Sequence, residues 1–76
     1  MVNFAAESDN NRAIHDPGIF VKTNVLGTQT LLAAAKDASV KRFHHISTCE
    51  VFGELELDDT RLFREDDAYM PKTPYN

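Results

Sequence analysis

The chain has 76 residues, of which 42% are apolar and 26% are charged. This composition is typical of a folded domain, excludes a disordered tail and allows one domain at most. The net charge of -4 provides no positive surface for a phosphate backbone and excludes a nucleic-acid partner.

The cysteine and histidine content limits disulfide and metal chemistry. Cys49 is the only cysteine, so the chain forms neither an internal disulfide nor a thiolate cage for a metal. His44 and His45 are adjacent, and on a strand they point to opposite faces and cannot chelate one ion together. The N-terminus lacks the pattern of a signal peptide, and no apolar run reaches membrane-spanning length. We therefore expect a cytoplasmic protein with no metal site and no membrane partner.

The first half of the chain predicts a strand followed by a helix. Residues 2–6 form a short apolar run that breaks into a polar stretch, as at the end of a buried strand. Asp16, Pro17 and Gly18 punctuate the chain. From residue 19 to residue 38, apolar side chains recur at helical spacing, which predicts a helix over that range.

The second half predicts another strand and a long loop. Residues 40–48 have the length of a strand, and a strand, helix, strand order implies a parallel pair with a right-handed crossover. Residues 53–74 are acidic and irregular, which predicts a surface loop with a few apolar anchors. Pro74 is suited to the first turn of a second helix, because that position needs no main-chain N–H.

Polar side chains follow both predicted strands. Ligands of open parallel sheets bind outside the carboxyl ends of the strands, so these side chains are expected to face one crevice. They are Glu7 and Ser8 after the first strand, and Ser47, Thr48, Cys49 and Glu50 after the second.

Several motifs identify a family. They are Phe-Ala-Ala-Glu-Ser at 4–8, Asp-Pro at 16–17, Thr-Asn-Val-Leu-Gly-Thr at 23–28, Ile-Ser-Thr-Cys-Glu-Val-Phe-Gly at 46–53, and Thr-Pro-Tyr at 73–75. In order and spacing they resemble the extended short-chain dehydrogenase/reductase superfamily (NAD-dependent epimerases and dehydratases), and within it most closely the dTDP-glucose 4,6-dehydratases. The resemblance covers essentially the whole chain.

This resemblance implies an α/β fold, a Rossmann-type doubly wound parallel sheet of which the chain carries a strand-helix-strand unit and a loop. It implies that residues 1–76 are an internal fragment of the NAD(P)-binding domain, without the N-terminal glycine-rich unit and the C-terminal substrate domain. A homodimer of the full-length enzyme is expected by analogy. The cofactor implied is NAD and the substrate is a nucleotide sugar.

The resemblance also assigns binding roles. Residues implied at the NAD cleft are Phe4, Ala5, Ala6, Glu7, Thr23 and Tyr75, and those implied at the sugar nucleotide are Ser8 and Thr48. Without it, Ala5 and Ala6 are equally well explained as core alanines.

Four catalytic residues are implied by the same resemblance. Thr48 and Tyr75 hold and deprotonate the C4 hydroxyl of the sugar; a phenol ionises only at high pH in water, so the family supplies a lysine four residues after the tyrosine. Glu50 removes the C5 proton once C4 is a ketone. Cys49 stands where the family has an aspartic acid that protonates the departing C6 hydroxyl, and a thiol is a weaker acid and a poorer donor.

Two departures and several alternatives remain open at this point. Residues 9–12 read Asp-Asn-Asn-Arg where the family commonly has His-Val-Asp-Arg, so the resemblance leaves the sugar specificity open, and Phe52 replaces a tyrosine. Tyr75 has the alternative of a surface aromatic, Glu50 of an exposed loop glutamate, and Cys49 of a space-filling thiol. Alternative functions are a nucleotide-sugar epimerase, a UDP-glucuronate decarboxylase, and a non-catalytic truncated remnant.

Overall fold

Two short parallel strands and the long helix between them form the frame of the molecule. The computed structural model describes residues 1–76. Strand β1 covers Val2–Asn3 and strand β2 covers His44–His45, and they pair in parallel with Val2 opposite His44. The N–H of Ile46 donates to the carbonyl oxygen of Asn3 at 3.0 Å. The predicted strand, helix, strand unit of an α/β fold is confirmed.

Both strands are shorter than the predicted ranges 2–6 and 40–48, which were wrong in extent. The reason lies in Asn3, whose side-chain oxygen accepts the N–H of Ala5 at 3.0 Å. This side-chain turn redirects the backbone after β1. Once β1 leaves the sheet, the chain after β2 has no strand partner beyond the N–H of Ile46 and continues as an irregular segment.

A short helix that the sequence pattern did not predict follows β1. Helix α1 covers Asn10–His15 and buries Ala13 completely. Asp9 caps it, because its carboxylate accepts the N–H groups of Asn11 at 2.9 Å and Arg12 at 3.3 Å. Six residues are too few to show helical periodicity, so the capping aspartate was the only available signal.

The long helix runs through three consecutive segments. Helix α2 covers Pro17–Phe20, a π-helical segment covers Val21–Leu26, and helix α3 covers Gly27–Asp37. The predicted helix over 19–38 is confirmed in type and begins two residues earlier, since proline suits the first turn. It ends where Ser39 adopts a φ of 54°, and the N–H of Val40 donates to the carbonyl of Ala35 at 2.9 Å.

The core is small for a chain of this length. Four residues are buried, namely Asn3, Ala13, Phe20 and Ala35. The accessible surface is 6290 Å², whereas a compact protein of the same mass exposes about 4,700 Å². The molecule is flat, with extents of 47 × 30 × 16 Å. Large apolar side chains such as Phe4 and Val25 therefore remain in contact with solvent. None of the helices combines the length and the apolar character needed to cross a bilayer.

A 3₁₀ turn and an irregular loop complete the fold. The turn covers Cys49–Phe52, and residues 53–74 contain neither helix nor strand, as predicted. Phe52 anchors the loop, with ring centroids 5.6 Å from those of Phe63 and Tyr69. Residues 74–76 are too few to form a helical turn, so the prediction of a helix that begins at Pro74 is not tested. The side-chain oxygen of Asn76 accepts the N–H groups of residues 72 and 73, at 3.0 and 2.9 Å, and closes a turn.

Candidate active site

A central cleft of about 210 Å³ lies at the carboxyl ends of β1 and β2. Ala5 and Ala6 line it after β1, Ser47 and Thr48 line it after β2, and Tyr75 reaches it from the end of the chain. A cleft is thus present at the strand ends, but of the six polar side chains predicted to face it only Ser47 and Thr48 line it. On the β1 side, however, its wall consists of the two alanines, whereas Glu7 and Ser8 lie outside it.

Asn24 fixes the backbone beside this wall. It lies in the π-helical segment and lines the central cleft. Its side-chain oxygen accepts the N–H of Glu7 at 2.9 Å, and its side-chain nitrogen donates to the carbonyl of Glu7 at 2.9 Å. Both main-chain groups of Glu7 are thus satisfied by one amide. The π-helical segment places a polar side chain where the strand-end backbone needs it, a common use of such segments at functional sites.

Two residues that carry hydroxyl groups, Thr48 and Tyr75, line the central cleft. Thr48 is half-buried and caps the 3₁₀ turn, because its Oγ1 accepts the N–H of Glu50 at 3.2 Å. An accepting hydroxyl keeps its own hydrogen for donation to a ligand. Tyr75 is also half-buried and lines the same cleft. The two side chains predicted to act on one sugar hydroxyl are therefore brought together.

Glu50 lines a second cavity, which we name the polar cleft. It encloses about 420 Å³ and has no apolar residue in its lining, which is formed by Asn10, Glu50, Gly53, Glu54, Lys72, Thr73 and Asn76. One oxygen of Glu50, Oε2, accepts the side-chain amides of Asn10 at 3.2 Å and Asn76 at 3.3 Å. Glu50 itself does not line the central cleft. Thr48 and Glu50 are only two positions apart in sequence, but the 3₁₀ turn leads them into different cavities. Thr48 and Tyr75 line the central cleft, whereas Glu50 lines the polar cleft.

The other predicted site residues line neither of these two cavities. Phe4 is 75% exposed, and Ser8 and Cys49 are also exposed. Glu7 forms an ion pair with Arg12, with 3.2 Å between the carboxylate and guanidinium atoms. Thr23 lines a separate cleft of about 410 Å³, which it shares with Ala5 and Gly27. No group of three or more His, Cys, Asp or Glu side chains is arranged to hold a metal ion.

Three asparagines that shape the site were not among the predicted site residues. Asn24 stands inside a motif that was recognised, but a motif does not say which backbone a side chain will contact. Asn10 was visible only as a departure from the usual residue. Asn76 gave no signal, because its contact with Glu50 spans 26 positions of sequence.

Comparison with known proteins gives the family. The model of the GDP-mannose 4,6 dehydratase family matches residues 1–76. The dTDP-glucose 4,6-dehydratase of Mycobacterium tuberculosis is 50% identical over 76 residues, which is 100% of this chain and 23% of that protein. The low-salt glycan biosynthesis protein Agl12 of Haloferax volcanii is 54% identical over 100% of this chain and 24% of its own length.

A solved structure agrees with these matches. It is the crystal structure of DesIV, a dTDP-glucose 4,6-dehydratase from Streptomyces venezuelae, with NAD and TYD bound. Its TM-score is 0.90 at 46% sequence identity, and the match covers 97% of this chain and 22% of that one. The chain spans about a quarter of the length of the relatives it matches. By its family model, its relatives and its fold, the chain belongs to the GDP-mannose 4,6 dehydratase family.

Proposed function

We propose that this chain carries the catalytic edge of an NAD-dependent nucleotide-sugar 4,6-dehydratase, which converts dTDP-glucose to dTDP-4-keto-6-deoxyglucose. The observation that supports it most is that Thr48 and Tyr75 line one cleft at the strand ends, while Glu50, two residues after Thr48, lines the polar cleft. The names of the relatives and of the solved neighbour support the same activity and substrate class.

The β1 wall of the central cleft suits NAD. Ala5 and Ala6 offer only methyl groups, and the Asn24 amide behind them is already used by the backbone of Glu7. A flat, small-residue wall lets an aromatic ring approach the main chain closely. When bound, NAD would supply reversible hydride acceptance, by which the hydride removed from C4 of the sugar is returned to C6. From the family resemblance, Phe4, Glu7, Thr23 and Tyr75 complete the cofactor side.

The chain's own groups carry the proton transfers. Tyr75 takes the proton of the C4 hydroxyl while Thr48 orients that hydroxyl by a hydrogen bond, and C4 becomes a ketone. The ketone acidifies C5, and Glu50 removes the C5 proton. The C6 hydroxyl then leaves as water, with Cys49, water or protonated Glu50 as the proton donor. Addition of the hydride at C6 and of a proton at C5 gives the 4-keto-6-deoxy sugar.

The same proposal includes a substrate residue, an oligomeric state and a cellular compartment. From the family resemblance, Ser8 is assigned to the nucleotide sugar, which is the small-molecule partner. A homodimer is consistent with the apolar side chains that the long helix leaves exposed, such as Val21, Val25 and Leu32. A reducing, cytoplasmic setting suits the exposed thiol of Cys49.

Product analysis tests this function. The natural-length protein is incubated with NAD⁺ and, separately, dTDP-glucose, GDP-mannose, UDP-glucose and UDP-glucuronate, and products are identified by mass spectrometry and NMR. Loss of one water from a hexose substrate, with a new C6 methyl group, is the expected result. A C4 epimer of unchanged mass identifies an epimerase, release of CO₂ from the glucuronate identifies a decarboxylase, and no product with any substrate identifies a non-catalytic remnant.

A further inference from the structure

The carboxylate of Glu50 is held by two amides that come from opposite directions. Asn10 approaches from the start of α1, and Asn76 approaches from the end of the chain. Both donate to the same oxygen, Oε2, at 3.2 and 3.3 Å. The second oxygen, Oε1, accepts none of the protein's hydrogen bonds. One oxygen is thus occupied by the protein and the other is left for a ligand.

The orientation of both amides is fixed by further hydrogen bonds. The oxygen of Asn76 accepts two main-chain N–H groups, so only its nitrogen is available to face Glu50. The oxygen of Asn10 accepts the hydroxyl of Thr73 at 3.1 Å, which turns its nitrogen toward the carboxylate. An ionised carboxylate only accepts hydrogen bonds, so both asparagines must present their side-chain nitrogens to it. In this orientation the side-chain oxygens of Asn10 and Asn76 also have hydrogen-bond donors.

We propose that Asn10 is a positioning residue for Glu50, which it holds, together with Asn76, at the place from which the carboxylate removes the C5 proton. This inference rests on the proposed function. Asn10 stands at the second position of the Asp-Asn-Asn-Arg stretch, where the family resemblance implies valine. Valine has no group that donates to a carboxylate, so replacing Asn10 by valine removes one of the two amides on Glu50.

The expected consequence is specific to one step of the reaction. Asn10 makes no hydrogen bond to Thr48 or Tyr75, and it does not line the central cleft. Oxidation at C4 therefore does not depend on it. Removal of the C5 proton does, because a misplaced general base loses rate steeply, by about 10- to 100-fold for a displacement near 1 Å.

The test compares Asn10→Val with Asn11→Val in the natural-length protein with NAD⁺. Asn11 lies on the same helix, is exposed, and makes no side-chain hydrogen bond, so it controls for placing valine in α1. Two rates are measured with dTDP-glucose in D₂O. The appearance of reduced nicotinamide in a single turnover reports C4 oxidation, and incorporation of solvent deuterium at C5 reports proton removal.

For Asn10→Val we expect C5 deuterium incorporation and kcat to fall about 10- to 100-fold, with reduced nicotinamide formed at the wild-type rate and KM unchanged. Asn11→Val should match the wild type in every rate. Equal loss of both rates in Asn10→Val indicates a structural role and overturns the proposal, as does no loss in either rate.

If Asn10→Val does not fold, Thr73→Val decides the question by the same two rates. It removes only the hydroxyl that orients the Asn10 amide and keeps the side-chain shape. Selective slowing of the C5 step supports the proposal, and parallel or absent slowing overturns it. A wild-type protein that forms no 4-keto-6-deoxy product contradicts the proposed function itself, a failure that is distinct from a wild-type-like Asn10→Val.

Discussion

Replacing Asn24 by alanine removes both hydrogen bonds that tie the long helix to the backbone of Glu7. These bonds are 2.9 Å long and partly buried, and no other side chain supplies them. Each is expected to contribute about 1 kcal/mol. Alanine regains roughly 0.5 kcal/mol through its higher helix propensity. The free energy of unfolding of the protein should therefore fall by about 1.5 kcal/mol, close to tenfold in the folding equilibrium.

Urea denaturation of the natural-length protein, followed by circular dichroism, measures this loss, and Asn11→Ala is the matched control. Asn11 is exposed and its side chain has no partner, so its replacement should not lower stability. Asn24→Asp keeps the acceptor for the N–H of Glu7 but loses the donor to its carbonyl, and should be destabilised as well. If Asn24→Ala is as stable as Asn11→Ala, the amide does not hold the wall of the central cleft and this account of the π-helical segment is wrong.

Two other substitutions probe the turn and the cleft. Gly53 has a φ of 90°, and a Cβ there would lie 3.0 Å from the carbonyl oxygen of Met70, so Gly53→Ala should lower the free energy of unfolding by about 1 to 3 kcal/mol. Gly18→Ala, where an added Cβ meets no atom closer than 4.0 Å, should not lower it, and equal losses in the two urea titrations would contradict the strain at Gly53. Tyr75→Phe should lower kcat for dTDP-glucose by about 100-fold or more while KM changes little, and an unchanged kcat would remove Tyr75 from the proton transfer.

The type and order of the helix and strands could be predicted from the sequence where an apolar pattern was long or a turn signal was strong. Apolar recurrence over some twenty residues predicted the long helix, and Pro17 explains why it starts earlier than expected. The parallel pairing of β1 and β2 followed from the order of elements alone. Strand length did not follow, because the Asn3 side chain ends β1 by a local hydrogen bond to Ala5.

The candidate site, like the fold, was predicted from the sequence only in part. The motifs identified Thr48, Glu50 and Tyr75, and the fold brings the first and last of these into one cleft. The sequence did not indicate that Glu50 would lie in a separate, wholly polar cavity. That location depends on Asn10 and Asn76, whose contacts to Glu50 span 40 and 26 positions of sequence. Contacts at such separations leave no local pattern from which they can be predicted.

The fate of the hydride tests the proposed 4,6-dehydratase activity most directly. dTDP-glucose that carries deuterium at C4 is converted by the natural-length protein with NAD⁺ in ordinary water, and the product is examined by NMR and mass spectrometry. The account predicts that the deuterium appears in the C6 methyl group, because the hydride removed from C4 is returned to C6 within one turnover. Deuterium retained at C4 of an epimerised sugar, or no conversion of the labelled substrate, would contradict it.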